Sequence, residues 1–309
     1  MSEPVRIIVV VGPTASGKTD TGLKLASRIG GEIVSADSMQ IYRWMDIGTA
    51  KPTALERAEI PHHLIDILTP DQPYNAGQFA QDADQVIAEL QEQGKPTILL
   101  GGTNLYIRAL IHGMIPVPEI SAPVKAEIKR LLAEKGLVQC YQRLQSLDPK
   151  SAAKLHPNDV ARISRALAVF LETGRSIQDL QEEHGFKQMR YQPLFIGTRW
   201  PREELYQRIN QRVLLMVEAG LVEETESLLW RGYGSDLPSL RSIGYRQALE
   251  FLDEKIDRDK MISDIQQKSR HYAKKQMTWY RNNPDVQWLD GNDLGENDIR
   301  FVQRFLDGD

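Results

Sequence analysis

Between an apolar run, Ile7 to Val11, and a stretch carrying Leu23 and Ala26 at helical spacing lies Gly12 to Thr19, GPTASGKT. It matches the phosphate-binding pattern G-x-x-x-x-G-K-[ST] at every fixed position. The continuous run IIVVV reads as a buried parallel strand, and the following helix stops at Gly30. Strand, glycine-rich turn and helix in that order call for an α/β fold with a P-loop NTPase-like core, a central parallel sheet flanked by helices. In such a loop Gly12, Pro13, Thr14, Ala15, Ser16 and Gly17 wrap an oxyanion, Lys18 adds a point charge and Thr19 a hydroxyl for Mg²⁺. The implied chemistry is handling of a phosphate or diphosphate group. Whether that group is transferred, hydrolysed or simply leaves is not written in the loop.

Glu32 to Tyr42, EIVSADSMQIY, begins as a short strand at Ile33 and Val34 and turns polar at Ser35, Asp37 and Ser38. Ligands of a parallel α/β sheet gather at the carboxyl ends of its strands, so Asp37 falls near the phosphate loop. An aspartate there serves as a reactive carboxylate or as a helix cap, and position alone leaves both open. Trp44 to Glu56 reads as a loop and His62 to Leu68 as a strand. His62 and His63 would point to opposite faces, with no third ligand at metal spacing, and are read as structural. Tyr74 to Gln93 is an amphipathic covering helix that ends at Gly94. The buried strand Pro96 to Leu100 then runs into GGTNLY, Gly101 to Tyr106. A P-loop nucleotidase commonly ends such a strand with an aspartate for Mg²⁺. Here glycines permit close backbone approach and Thr103 offers a hydroxyl, which argues against ordinary ATP hydrolysis.

From about Ile115 the texture changes. Pro116 to Pro123 is proline-punctuated, and helices follow over Val124 to Lys135, closed by Gly136, and Leu137 to Leu147, closed by Asp148-Pro149. His156 to Asp159 caps a helix whose Val160, Ile163, Leu167 and Phe170 share one face, with Arg162 and Arg165 beside it. Strand character returns at Pro193 to Thr198. The division expected is residues 1–115 as the first part of the core, 116–190 as an all-helical insertion and 191–309 as the second part. In the helix Glu203 to Ala219, Arg208 and Arg212 stand one turn apart, a spacing suited to a pyrophosphate clamp. Lys268 to Arg281 is the most basic segment. Its Arg270, Lys274 and Arg281 fall within about 40° of one another on a helix, interleaved with Tyr272, Trp279 and Tyr280. That pattern fits a solvated face or a nucleic-acid surface. A last short strand spans Val286 to Leu289, and the acidic tail from Asp290 carries no signal.

The formal net charge of −4 means that a polyanionic partner must meet a local basic surface. The single cysteine, Cys140, excludes an intrachain disulfide and a Cys-rich zinc site and suits a reducing cytoplasm. No apolar run reaches the length of a membrane span, and Met1 to Pro4 has no signal-peptide character.

GPTASGKT, ADSMQIY, DIGTAKP, HHLID, GGTNLY, HPNDVARISRAL, the paired-arginine helix, LRSIGYRQ and KKQMTWYR, in that order, resemble the tRNA dimethylallyltransferase family, also called tRNA isopentenyltransferase. The resemblance spans about Ile7 to Trp288. It implies transfer of a dimethylallyl group from dimethylallyl diphosphate to the N6 amine of the adenosine immediately 3′ of a tRNA anticodon, releasing diphosphate with Mg²⁺ present. It further implies a monomer with no obligate protein partner, acting in the cytoplasm away from membranes. The general base maps to Asp37. Stabilisation of the leaving diphosphate maps to the phosphate loop, Lys18, Thr19, Thr103 and the pair Arg208 and Arg212. Contacts to the anticodon stem-loop map to Asp37, Ser38, Met39, Gln40 and Thr103, and on the insertion to Lys125, Ala161, Arg162, Ile163, Ser164 and Arg165. Further contacts map to Arg241, Ser242, Ile243, Gly244, Tyr245 and Arg246, then to Lys274, Lys275, Gln276, Met277, Thr278, Trp279, Tyr280 and Arg281. Two positions depart from the family pattern, where Asn104 and Trp44 each replace a glycine. Without the resemblance the same residues also fit a P-loop small-molecule kinase or a non-catalytic RNA-binding module.

Overall fold

Five apolar residues in succession suit a strand covered on both faces. Ile7 to Val11 are all fully buried in the computed structural model, which describes residues 4–186, 188–281, 283–291 and 293–309. The first part of the chain runs β1 (Arg6–Val11), α1 (Lys18–Ile29), β2 (Glu32–Ser35), α2 (Ala54–Glu59), β3 (His62–His63), α3 (Ala76–Glu92), β4 (Thr97–Leu100) and α4 (Asn104–His112). Four helices follow: α5 (Ala122–Leu147), α6 (Pro149–Ala152), α7 (Val160–Thr173) and α8 (Ile177–His184). The remainder is β5 (Gln192–Arg199), α9 (Arg202–Glu218), α10 (Leu221–Trp230), a 3₁₀ turn at Ser239–Arg241, α11 (Tyr245–Leu252), α12 (Arg258–Tyr280), β6 (Val286–Asp290) and α13 (Glu296–Asp307).

The six strands form one parallel sheet in the order β3-β2-β4-β1-β5-β6. The chain places β2, β3 and β4 on one side of β1 and β5 and β6 on the other, so the winding reverses at β1. Ligands of open α/β sheets bind outside the carboxyl end of such a strand, and the phosphate loop leaves β1 there. Side chains alternate across a strand. Ile7, Val9 and Val11 accordingly pack with Phe79, Ala83, Ile107 and Leu110 of α3 and α4. Ile8 and Val10 pack with Leu25 and Ala26 of α1 and Val302 of α13.

The chain divides into two compact units, Met1–Ile111 with Arg190–Asp309, and His112–Met189. The second is wholly helical among its described residues and is built around Cys140, Leu144, Ile163 and Leu167. Gly136 breaks α5 with φ 75, a conformation that glycine adopts freely. Among the described residues no helix is long and apolar enough to cross a membrane.

Three elements differ from the expectation. The strand over His62 to Leu68 stops after two residues, because Leu64 and Asp66 turn to positive φ (60 and 57). The loop from Trp44 ends in a short helix at Ala54, closed by a capping box in which the Thr53 N–H donates to Glu56 Oε2 at 2.7 Å and the Glu56 N–H to Thr53 Oγ1 at 3.2 Å. The tail after Asp290 folds into α13 and buries Ile299 and Val302. Its dense charges mask a narrow apolar stripe.

The ends of β2 and β4 approach so closely that a Cβ on Gly101 would stand 2.2 Å from the Ala36 carbonyl oxygen. Backbone faces backbone here, and neither side can rotate away. Gly101→Ala should therefore lower the unfolding free energy by about 2 kcal/mol or more, measured as a reduced midpoint in thermal or urea unfolding.

Candidate active site

The loop Gly12 to Gly17 is held from three directions. Ala15 and Gly17 take positive φ (64 and 86), which turns successive backbone N–H groups into one concavity at the start of α1. From β5, Thr198 Oγ1 lies 2.6 Å from Ser16 Oγ, and Trp200 Nε1–H donates to the Ser16 carbonyl at 2.8 Å. From α9, Arg208 Nε–H donates to the Ala15 carbonyl at 2.9 Å with its guanidinium 4.3 Å over the Trp200 ring. One turn on, Arg212 donates to Thr14 Oγ1 at 2.8 Å. From α12, Gln276 Oε1 accepts the Thr14 N–H at 2.8 Å while its Nε2 donates to the Gly102 carbonyl at 3.0 Å. One amide thus ties the basic helix to both the loop and the end of β4.

Lys18 Nζ donates to the Pro13 carbonyl at 3.3 Å on the floor of this cleft. Burial, reinforced by the charge of Arg212, pushes its pKa down to about 8, and the Asp37 carboxylate only partly opposes this. Burial also lowers Arg212, again opposed by Asp37. Two cations share one carboxylate, an arrangement that favours a bound anion.

Asp37 follows β2 as a turn residue, not a helix cap. Its Oδ1 accepts the Met39 N–H at 2.9 Å, and Oδ2 accepts no hydrogen bond among the described residues. Thr103 fixes the neighbouring residue, accepting the Ser38 N–H at 2.9 Å and donating to Ser38 Oγ at 3.2 Å. Gln40 Oε1 accepts from Ser35 Oγ at 3.0 Å. A cavity of about 740 Å³ is lined by Lys18, Thr19, Asp37, Arg208 and Arg212. Another of about 310 Å³ is lined by the apolar Met39, Ile209, Val213, Met216, Ile243 and Ile265. Both reach Thr14, Ala15, Asp37, Arg212 and Tyr272. Burial and the nearby Asp37 raise the Tyr272 hydroxyl to about 12, so it stays protonated and donates to the Gly102 carbonyl at 3.3 Å.

The other segments separate into outer and inner residues. Arg241, Arg246, Lys274, Lys275, Thr278 and Arg281 are exposed, as is Trp279, with Arg108 5.3 Å over its ring. Ser242 and Ile243 line the apolar cavity, and Gly244 has φ 98. Tyr245, Gln276 and Tyr280 are buried, and Met277 is half-buried. Arg270 does not share the outer face of Lys274, because it turns back to Asn210 Oδ1 at 2.6 Å and over Tyr206. In the helical unit Lys125, Ala161, Arg162 and Arg165 are exposed, Ser164 is half-buried and Ile163 is fully buried. Asn104 opens α4 and donates to the Gln276 carbonyl at 3.4 Å instead of lining either cavity. His63 Nε2 lies 2.7 Å from Glu32, and His62 Nδ1 lies 2.7 Å from the Ile60 carbonyl.

The roles of two residues were missed in the sequence. Glu224 of α10 accepts the N–H groups of Asp46, Ile47 and Gly48 at 2.9, 2.8 and 3.1 Å and the Tyr245 hydroxyl at 2.5 Å. Lys51, with a side chain 1% exposed, donates to the Tyr42 carbonyl, Asp46 and Asp66 at 2.8, 2.5 and 2.6 Å. In sequence Glu224 is an acid like many others, and Lys51 lies in DIGTAKP with nothing to mark these partners.

The family model of IPP transferase matches residues 40–283. A tRNA dimethylallyltransferase 2 of Geotalea uraniireducens is 45% identical over 288 residues, covering 93% of each chain. The tRNA isopentenylpyrophosphate transferase of Bacillus halodurans superposes with a TM-score of 0.71 at 38% identity, covering 98% of this chain and 96% of that one. A eukaryotic dimethylallyltransferase described as acting on tRNA superposes with a TM-score of 0.82 at 27% identity, covering 98% of this chain and 78% of that one.

A bound anion favours protonated Lys18, so above about pH 8 binding must take up a proton. Affinity for inorganic diphosphate should fall there by up to about tenfold per pH unit relative to a Lys18→Arg variant, whose cation does not titrate. Calorimetric titrations across that range in buffers of different ionisation enthalpy measure both the loss and the proton. Separately, Glu224→Ala strands several donors and should cost about 2 kcal/mol in denaturant unfolding.

Proposed function

Because this chain belongs to the IPP transferase family, we propose that it transfers the dimethylallyl group of dimethylallyl diphosphate to the N6 amine of the adenosine 3′ of the tRNA anticodon. One observation carries the mechanism. A single carboxylate, Asp37, stands where an anion cradle and an apolar chamber meet. The diphosphate occupies the cradle, the five-carbon chain faces the chamber, and the reacting carbon lies between them beside Oδ2. The amine nitrogen bonds to that carbon as its bond to the diphosphate oxygen breaks and the electron pair leaves with the diphosphate. The N6 proton goes to Asp37. An exocyclic amine whose lone pair is delocalised is a poor nucleophile, so a base within reach helps as the bond forms.

The growing negative charge on the leaving group meets Lys18, Arg212, the loop N–H groups and the positive end of α1, with the loop fixed beforehand by Thr198, Trp200, Arg208 and Gln276. Mg²⁺ fits this donor set: it keeps several waters and takes substrate phosphates with one or two protein oxygens, and Thr19 supplies such an oxygen. Bound there it would neutralise diphosphate charge. Thr103 holds Ser38 and, through it, the turn that aims Asp37.

The base must leave the anticodon stack to reach Asp37, and a flipped nucleotide is the general solution for chemistry on a base. The exposed Lys274, Lys275 and Arg281 supply phosphate contacts, and Trp279 a stacking surface. Lys125, Arg162 and Arg165 of the helical unit act on the anticodon stem. In this reading the protein works as a monomer in the cytoplasm, needs no protein partner and stays off membranes.

Incubation with unmodified tRNA, Mg²⁺ and dimethylallyl diphosphate, followed by nucleoside mass analysis, should yield prenylated adenosine. Turnover of ATP with no such product would replace this reading with phosphoryl transfer. Asp37→Ala should lower kcat by about 10² or more with tRNA affinity nearly intact.

A further inference from the structure

Trp44 stands in a left-handed backbone conformation, φ 65, that bulky residues rarely adopt. Its surroundings compel this. Glu224 holds the N–H groups of Asp46, Ile47 and Gly48 just downstream, and on the other side the Arg43 N–H donates to the Leu68 carbonyl at 2.9 Å and Arg43 Nε–H to the Asp66 carbonyl at 2.8 Å. Strain that the structure enforces at one residue is a pointer to use. The residue placed there is a tryptophan, 37% exposed.

The ring has companions. Tyr233 lies 5.9 Å away at an interplanar angle of 31°, and the Arg231 guanidinium sits 4.8 Å over the Trp44 ring. Trp230, next to Arg231 in sequence, is 83% exposed. Among the described residues neither Arg43 nor Arg231 makes an ion pair. Aromatic surface next to uncompensated cations is what an unpaired nucleotide requires, with a ring for the base and a guanidinium for its phosphate. The same segment leads from the turn at Asp37 to Gly48 and Thr49, which border the apolar chamber.

We propose that Trp44, with Arg231 and Tyr233, forms a stacking platform for an unpaired nucleotide of the RNA substrate outside the reaction chamber. This rests on the tRNA-modifying reading above. The platform anchors the strand while the target base is turned inward, so its contribution falls on RNA binding and not on the chemical step.

Trp44→Gly tests it, because glycine relieves the backbone strain while removing the ring. Its thermal midpoint should stay close to that of the parent, its Kd for an unmodified anticodon stem-loop should rise about fivefold or more, and kcat at saturating tRNA should hold. Trp44→Phe, which keeps a ring, should bind within about twofold of the parent. Arg231→Ala should flatten the salt dependence of binding by about one unit of slope. Equal RNA affinity in parent and Trp44→Gly, or equal salt slopes in parent and Arg231→Ala, would overturn the platform. A fall in kcat without a change in Kd would overturn it too, by making the segment a scaffold for the chamber. Prenylated adenosine from the parent protein leaves the underlying function standing in each case.

Discussion

Two cations in a partly desolvated cleft, with one carboxylate between them, set the terms for the rest of the structure. Lys18 and Arg212 are both held less readily charged than in water by burial, and Asp37 offsets only part of that cost. Such a cleft is stable only if its walls cannot collapse and cannot relax toward solvent. The parallel sheet supplies that rigidity, since β1 is hydrogen-bonded on both sides, by β4 and β5, and buried from Ile7 to Val11. The positive excess then becomes binding energy for an anion that brings its own charge. The same excess opposes the empty state, and the hydrogen bonds from Thr198, Trp200, Arg208 and Gln276 to the loop offset it.

The residues from Ile41 to Leu68 pose a different problem. Only two of them enter the sheet as β3, and several take positive φ. Two charged side chains make the segment a fixed wall. Lys51 gathers a carbonyl and two carboxylates that lie 9, 5 and 15 residues away in sequence, and Glu224 reaches three consecutive amides from a helix 176 to 178 residues later. A carboxylate that accepts several N–H donors behaves as a substitute strand, satisfying backbone groups that no neighbouring β-ladder satisfies. Gly48 shows the tightness of the result, since a Cβ there would overlap the Tyr245 ring at 2.4 Å.

Much of this was legible in the sequence because local pattern and long-range role coincide. A buried strand must be apolar, a phosphate loop must carry its glycines, and Arg208 and Arg212 at one-turn spacing had to share a direction. What stayed hidden depends on contacts between distant residues. Gln276 lies in the basic aromatic stretch and reads as an outer residue, yet helical phase turns it inward onto Thr14 and Gly102. Arg270 matched Lys274 in angle, but Asn210 and Tyr206 offer it a nearer partner than solvent. Glu224 carries no local mark at all, and Lys51, inside DIGTAKP, carries no mark of its partners. The strand over His62 to Leu68 failed because alternation says nothing about positive φ at Leu64 and Asp66.

The two glycine replacements show how one kind of substitution has opposite physical consequences. At 104 the backbone is helical, so a side chain adds no strain, and the amide of Asn104 reaches the Gln276 carbonyl as a further link between α4 and α12. At 44 the backbone is left-handed, so the side chain is strained, and the residue packs on Tyr233 and Arg231 while keeping 37% of its surface exposed. Asn104 therefore draws its stabilisation from inside the fold, through a helix that also grips the phosphate loop. Trp44 draws on Tyr233 and Arg231 at the surface. At Trp44 the hydrogen bonds of its neighbours enforce the strained conformation, and the proposed stacking platform is the use that would repay it.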